Sequence, residues 1–371
     1  MVLQELKKIW TPVRVGLLIL VSVLLYASFF SPIIRRFDAG DDGVDSFQEK
    51  LRIAREWINT YGYTIDMDDF SAIQQEYERI LAKLSEKMSQ EEIFQECGVE
   101  NYEDFLEYET NAVNGKEGFR YQTYQEMREL LFAGTTYNTG YMQEYAAMIA
   151  DYENAAEGHS AVWPEEVIIY TTDFLSYVTL WCLAAVLLLS APVMVNDAAS
   201  NMKQEQYSSK VGRRIYKVQY GCTMVSVLVT ESIVIAAGMA IWSTTDTFVF
   251  SGAGLNSFMS FAEPSLHIRY ADVFLLFFVI AVLLGIGVGS MTFCLSSLSS
   301  NVISMLMKVT PLAVVTGMYI LGLGNAFYEN NLFYGLLPIP GIEIVIAGVG
   351  ALLGVGLNIA NYKASYSISH F

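Results

Sequence analysis

The chain has 371 residues, 53% of them hydrophobic, and a mean hydropathy of +0.35, values that fit a protein crossing a bilayer several times rather than a soluble domain. Its net charge of −17 is unevenly spread: Arg35 to Thr172 holds 29 acidic and 11 basic residues, and the remainder is nearly neutral. An acidic block of this kind keeps a domain soluble and argues against nucleic acid as a partner.

A helix needs about 20 apolar residues to cross the hydrocarbon core. Residues 1–14 read as an amphipathic lead-in helix, and residues 15–34 as the first span. No small-residue cleavage site follows it, and Arg35-Arg36 come instead, so the segment reads as a retained span rather than a signal peptide.

Residues 35–163 form the acidic block and read as helical. Ser46-Phe-Gln-Glu49 and Ser89-Gln-Glu-Glu92 have capping-box spacing, in which a serine and an acid three residues on satisfy each other's helix-end amides. Between Phe70 and Met88, Ile73, Tyr77, Ile80, Leu81 and Leu84 share one helical face. Asp66-Met-Asp-Asp69 lacks the glycine and closing glutamate of a calcium loop and reads as a helix start rich in caps. Gly115, Gly118 and the Gly134 to Gly140 stretch mark turns. Cys97 is the block's single cysteine, so its fold rests on packing without an internal disulfide.

The second span occupies 164–195, with an outward extension to Pro164, which suits the first turn of a helix. A polar, basic loop follows at 196–217, then the third span at 218–242, a loop at 243–272 and the fourth span at 273–295. The fifth span covers 302–323, a further loop 324–340, the sixth span 341–359 and a tail 360–371. Lys7, Lys8, Arg14, the basic residues of the 196–217 loop, Lys308 and Lys363 fall on one side if both termini are cytoplasmic, and Arg35 and Arg36 break that pattern. The expected architecture is an all-α membrane protein: six transmembrane helices with a mainly helical extracytoplasmic domain between helices 1 and 2.

No Gly-x-x-x-x-Gly-Lys-Ser/Thr phosphate loop occurs, so ATP is not bound by that route. His159, His267 and His370 are scattered, with no second histidine at helical spacing, so neither a metal centre nor a catalytic constellation is expected. Glu231 sits near the middle of the third span, where an ionisable group costs about 2.5–3.5 kcal/mol on insertion scales. It reads either as a lining group or protonation switch in a translocation path, or as a buried carboxyl that fixes one helix contact. Gly285 and Gly289 in the fourth span, and Gly350 and Gly354 in the sixth, have the small-x-x-x-small spacing that lets helices approach closely. The segment from Asp197 to Arg214, with Lys203, Glu205, Lys210 and Arg213, has three readings: a partner-docking helix, an amphipathic helix on anionic lipid, or a solvated loop. Its mixed charge favours protein contact.

These features together resemble the permease subunit of an ABC exporter of the ABC-2 type, in the Gram-positive form with an enlarged external domain. The Leu3–Trp10 run resembles that family's lead-in helix. The stretch Tyr207-Ser-Ser-Lys-Val-Gly-Arg-Arg214, followed by Lys217, is similar to its signature after the coupling helix, and Leu295 to Asn301 resembles its serine-rich turn. Asn196-Asp197 stand where the family often has a glutamate. The resemblance covers the membrane half. It implies a cell-membrane exporter coupled through Asp197, Lys203, Glu205, Lys210, Arg213 and Arg214 to a cytoplasmic ABC ATPase. That ATPase would carry the ATP and Mg, and this chain would hold no cofactor. The permease would pair with a second copy or a related permease. A rival reading is a non-transporting membrane sensor or scaffold whose external helices bind a ligand or partner. A four-span permease is disfavoured by the span count, and a membrane enzyme by the lack of a nucleophile or histidine cluster.

Overall fold

The computed structural model of the chain describes residues 2–39, 46–154, 162–199, 212–259, 268–328 and 341–367. Among these residues all regular structure is helical, with one isolated bridge between Gly254 and Arg269. The chain divides into two compact units, one of Met1–Arg36 with Pro164–Phe371, the other of Phe37–Trp163.

The first unit begins with α1 (Val2–Ile9), which ends before the first long helix, so the lead-in is shorter than 1–14. Thr11 caps α2 (Pro12–Leu25): its hydroxyl accepts from Arg14 N at 3.4 Å, and Pro12 takes the first-turn position where no N–H is needed. Arg14 therefore lies on the span helix itself, where its guanidinium donates to Ile9 O at 3.2 Å. A π-helical turn, Tyr26–Phe30, joins α2 to α3 (Ser31–Ala39). Here the widened turn coincides with an aromatic contact, because Phe30 packs edge-on against Phe174 at 5.1 Å, and Trp181 donates to Ser22 Oγ at 2.9 Å.

The second unit holds α4 (Ser46–Tyr61), α5 (Met67–Gln90), α6 (Glu92–Glu96), α7 (Tyr102–Val113), α8 (Tyr121–Phe132) and α9 (Thr139–Asn154). Two of its helix starts carry capping boxes among the described residues, Asp66 with Asp69 and Asn101 with Asp104. The cap reading of Asp66 to Asp69 agrees with this. Ser89 does not cap a helix: it lies in the last turn of α5, where its hydroxyl donates back to Glu86 O at 2.6 Å. Its side chain is thus spent on α5, and Glu91 precedes α6 without a side-chain cap. The Ser46 side chain lies outside the described residues. Gly115, Gly118 and Gly134 have φ of 66°, 94° and 74°, whereas Gly140 already belongs to α9. Aromatic rings fill the core. Tyr145 takes the edge of Trp57 on one side and stacks on Tyr77 on the other, with centroids 5.3 and 5.2 Å away.

Back in the first unit, Pro164 caps α10 (Glu165–Ser190) from outside instead of occupying its first turn. After a turn at Ala191 come α11 (Pro192–Ala199), α12 (Gly212–Trp242), α13 (Tyr270–Ser297), α14 (Val302–Tyr328) and α15 (Ile342–Ser367). Six stretches are long and apolar enough to cross a membrane: Pro12–Phe37, Glu165–Asp197, Ile215–Thr245, Tyr270–Ser297, Val302–Leu323 and Ile342–Lys363. Each expected span overlaps one of these stretches, which are generally longer than expected. Residues 212–217 belong to α12 rather than to the preceding loop, and residues 360–367 extend α15 rather than forming a free tail. Of the 243–272 loop, the described part is wound into short 3-10 turns, and its last residues start α13.

Burial sorts these helices. α10 and α13 are central, whereas α2, α14 and α15 turn Ile19, Met307, Met318 and Leu352 outward, each at least 60% exposed. A helix that buries one side and shows the other to an apolar solvent fits a multi-pass membrane protein. The tightest seam is α13 against α15. A Cβ on Gly354 would stand 2.5 Å from Gly287 O, and one on Gly287 would stand 2.9 Å from the Gly350 carbonyl carbon.

Candidate functional site

Charged and amide side chains of the first unit gather where α1, α11 and α12 meet. α1 is amphipathic: Ile9 enters a core with Leu189, Met194, Tyr216 and Phe293, and Leu6 and Trp10 pack on it. This seats Glu5, 7% exposed, against the bundle. From α11 comes Asp197, 4% exposed, and from α12 Gln219, 1% exposed.

The Gln219 amide donates to Asp197 Oδ2 at 2.6 Å and to Glu5 Oε2 at 3.1 Å. Lys8 Nζ lies 3.0 Å from Glu5 Oε1 and 3.4 Å from Asp197 Oδ1. Two buried carboxylates thus share one amide and one ammonium, the arrangement that makes burying them tolerable. Burial pulls the Lys8 pKa down, but hydrogen bonds and charges from Glu5 and Asp197 outweigh it and hold the pKa above its ordinary value. The result is a clamp that joins three helices, α1, α11 and α12.

A second device sits on α11's other side. Ser296, near the end of α13, donates to Ala191 O at 2.5 Å and accepts from Val195 N at 3.2 Å. In an uninterrupted helix those two backbone groups would pair with each other, so the serine hydroxyl is inserted into the turn joining α10 to α11. Side-chain insertion of this kind is a recognised cause of helix bending. A third set of contacts ties in α15: Asn358 donates to Ser290 O at 2.6 Å and accepts from Tyr216 OH at 2.9 Å, and Asn361 donates to Ser297 Oγ at 2.7 Å. α11, α12, α13 and α15 are therefore linked by polar contacts near the clamp.

Of the residues singled out for coupling, Asp197 is in the clamp, buried and turned to the bundle, and so is not offered as a docking surface. Lys203, Glu205 and Lys210 lie outside the described residues. Arg213 and Arg214 lie on the first turn of α12, with side chains outside the description.

Glu231 lies apart from the clamp, in the middle of α12. It is 1% exposed, and neither carboxylate oxygen has a hydrogen-bond partner among the described residues. The group occupies the notch left by Gly285, where a Cβ would stand 1.7 Å from Oε1. Gly285 therefore makes room for a carboxyl and not for another helix. Gly289 meets the side chains of Met224, Val186 and Val227. The glycine of α13 that meets α15 is Gly287, because it faces the backbone of Gly350 and Gly354. Gly350 contributes only its backbone, since a Cβ there would meet nothing within 4 Å.

Sequence reasoning passed over Glu5, Gln219, Asn358 and Asn361. The readable signals were an acid and a base three residues apart on an amphipathic helix, and single amides in or beside apolar runs, where polar groups seek partners inside the protein. No metal-binding group of His, Cys, Asp or Glu occurs among the described residues. Comparison of the chain with family models, with curated proteins and with solved structures finds no match.

Proposed function

We propose that the chain is the membrane-spanning permease of an ATP-driven exporter of the ABC-2 type, working in a bacterial plasma membrane with both termini in the cytoplasm. Energy comes from a separate cytoplasmic ABC ATPase, which carries the ATP and Mg. It docks on the polar segment between α11 and α12 and involves Lys203, Glu205, Lys210, Arg213 and Arg214. A second copy or a related permease completes the translocation unit.

The observation that carries this reading is the clamp of Glu5, Lys8, Asp197 and Gln219. Both helices bracketing the polar segment, α11 and α12, are tied there to the amphipathic α1. A push on the segment is thus delivered to three helices at once. The Ser296 insertion takes the place of one backbone hydrogen bond at the α10–α11 turn, and α11 tilts there. In this mechanism closure of the ATPases presses on the segment, α11 and α12 move with α1, and the spans above re-pack. Glu231, in the notch of Gly285, lies on α12 and moves with it.

The test is affinity purification of the full chain from its native membranes in mild detergent, with and without Lys203→Glu, Lys210→Glu and Arg213→Glu together. The expected result is a co-purifying ATPase with nucleotide-binding motifs, lost in the charge-reversed form. Folded protein that brings down no ATPase in either form would overturn the exporter reading and leave a membrane sensor or scaffold in its place.

A further inference from the structure

α2 opens the first apolar stretch, so the corner where α1 ends and α2 begins lies at the depth where a bilayer passes from hydrocarbon to headgroups. Arg14 stands on the first turn of α2. Helical side chains lean toward the N-terminus of their helix, and its guanidinium folds back onto this corner, where Nη1 donates to Ile9 O at 3.2 Å. The residue is 9% exposed. Its Nε and Nη2 bond to nothing, yet neither is sealed inside the protein. On the same turn, Thr11 takes the N–H groups of Arg14 and Val15 and leaves that of Val13 without an acceptor among the described residues.

Among the described residues no carboxylate balances this guanidinium. Glu5, the acid closest to it in sequence, is engaged by Lys8 and Gln219, and Asp197 by the same two groups. A guanidinium keeps its charge at any working pH, and burying one without a counter-ion is costly. Its donors form a planar fork that matches the oxygens of a phosphate. The free side of the corner is apolar: Val2, Leu3 and Val13 are 55%, 67% and 73% exposed. Lys7, one turn along α1 from Leu3, is exposed as well. A helix that shows bare valine and leucine beside a lysine is suited to lie on lipid.

We propose that the α1–α2 corner binds one anionic phospholipid of the leaflet that α1 faces. Its phosphate sits in the fork of Arg14, with the Val13 N–H as a further donor at the helix end. Its acyl chains run along the exposed side of α2, where Leu17 and Leu20 follow Val13 on one helical face. Lys7 draws the headgroup without fixing it. A soluble phosphate ester offers the same oxygens but would leave Leu3, Val13 and that face of α2 uncovered, so the lipid is the occupant that fits. This inference rests on the first span crossing a bilayer and not on the transport reading.

The test is native mass spectrometry of the full chain in mild detergent, titrated with dioleoyl phosphatidylglycerol or dioleoyl phosphatidylcholine, with inorganic phosphate as competitor. The wild type is expected to bind one phosphatidylglycerol about tenfold or more tightly than phosphatidylcholine, whose quaternary ammonium offsets its phosphate charge. Arg14→Gln should erase that preference. Arg14→Lys, which keeps the charge without the fork, should retain part of it, and Lys7→Gln should retain most. Wild-type protein that shows no preference between the two lipids would overturn the proposal whether or not the variants fold. Equal losses in Lys7→Gln and Arg14→Gln, the mark of a diffuse surface charge, would overturn it too. So would displacement of the lipid by inorganic phosphate at equal concentration, the mark of a site for a soluble phosphate.

Discussion

The α13–α15 seam separates two glycines that a spacing motif treats alike. In Gly354→Ala the new Cβ would stand 2.5 Å from Gly287 O, 3.1 Å from Ser290 Cβ and 3.2 Å from Gly287 C. Ordinary van der Waals contact begins near 3.4 Å, so α13 and α15 must part by about 0.9 Å along the worst contact. Two backbones meet there, and no flexible side chain can yield in their place. The same parting pulls on the Asn358 bond to Ser290 O, 2.6 Å long. Overpacking of this kind costs about 1–3 kcal/mol, and the geometry sets Gly354→Ala at the upper end. Gly287→Ala, with its nearest contact at 2.9 Å, should cost less. Gly350→Ala meets nothing within 4 Å and removes a flexible residue from a helix interior, so it should be neutral or stabilise by up to about 1 kcal/mol. The assay is thermal unfolding of the full chain in mild detergent, followed by intrinsic fluorescence. At roughly 2–4 °C per kcal/mol, Gly354→Ala should lower the midpoint by several degrees and Gly350→Ala should not. Equal losses at the two positions would refute the seam as described.

Gly285→Ala should force Glu231 out of its notch, since the added Cβ would stand 1.7 Å from Oε1. Most of that cost should vanish when Glu231 is also alanine, with a coupling of roughly 0.5–3 kcal/mol in a double-mutant cycle; strictly additive losses would show that the carboxyl does not occupy the notch. At the clamp, Asp197→Ala removes a buried, charge-assisted acceptor of Gln219 and should cost about 1.5–3 kcal/mol in unfolding experiments. The Lys8 pKa is raised in the folded chain, so its contribution is complete below pH 10.5 and fades as pH rises through the folded value. Lys8→Met should therefore remove an alkaline loss of stability that the wild type shows, and an unchanged alkaline profile would contradict the clamp.

The helical class and the six apolar spans are legible in the chain itself, because bilayer thickness imposes a length and an apolar composition that survive any packing. So are the acidic block between the first two spans and the cap at Asp66 to Asp69, where the deciding contacts lie within one turn. What could not be read is which polar groups meet. Glu5, Asp197 and Gln219 lie on three separate helices and share bonds only because α1 and the end of α11 both pack against α12. Ser296 looked like one serine in a serine-rich turn, and its role exists only because the α10–α11 turn passes within reach. Gly285, Gly287 and Gly289 are equivalent as a string. Helix rotation about its axis gives the first to a carboxyl, the second to a neighbouring backbone and the third to side chains. Local composition thus sets which segments cross, while rotation and approach of the helices, decided only by packing the whole bundle, set what each polar or small residue does there.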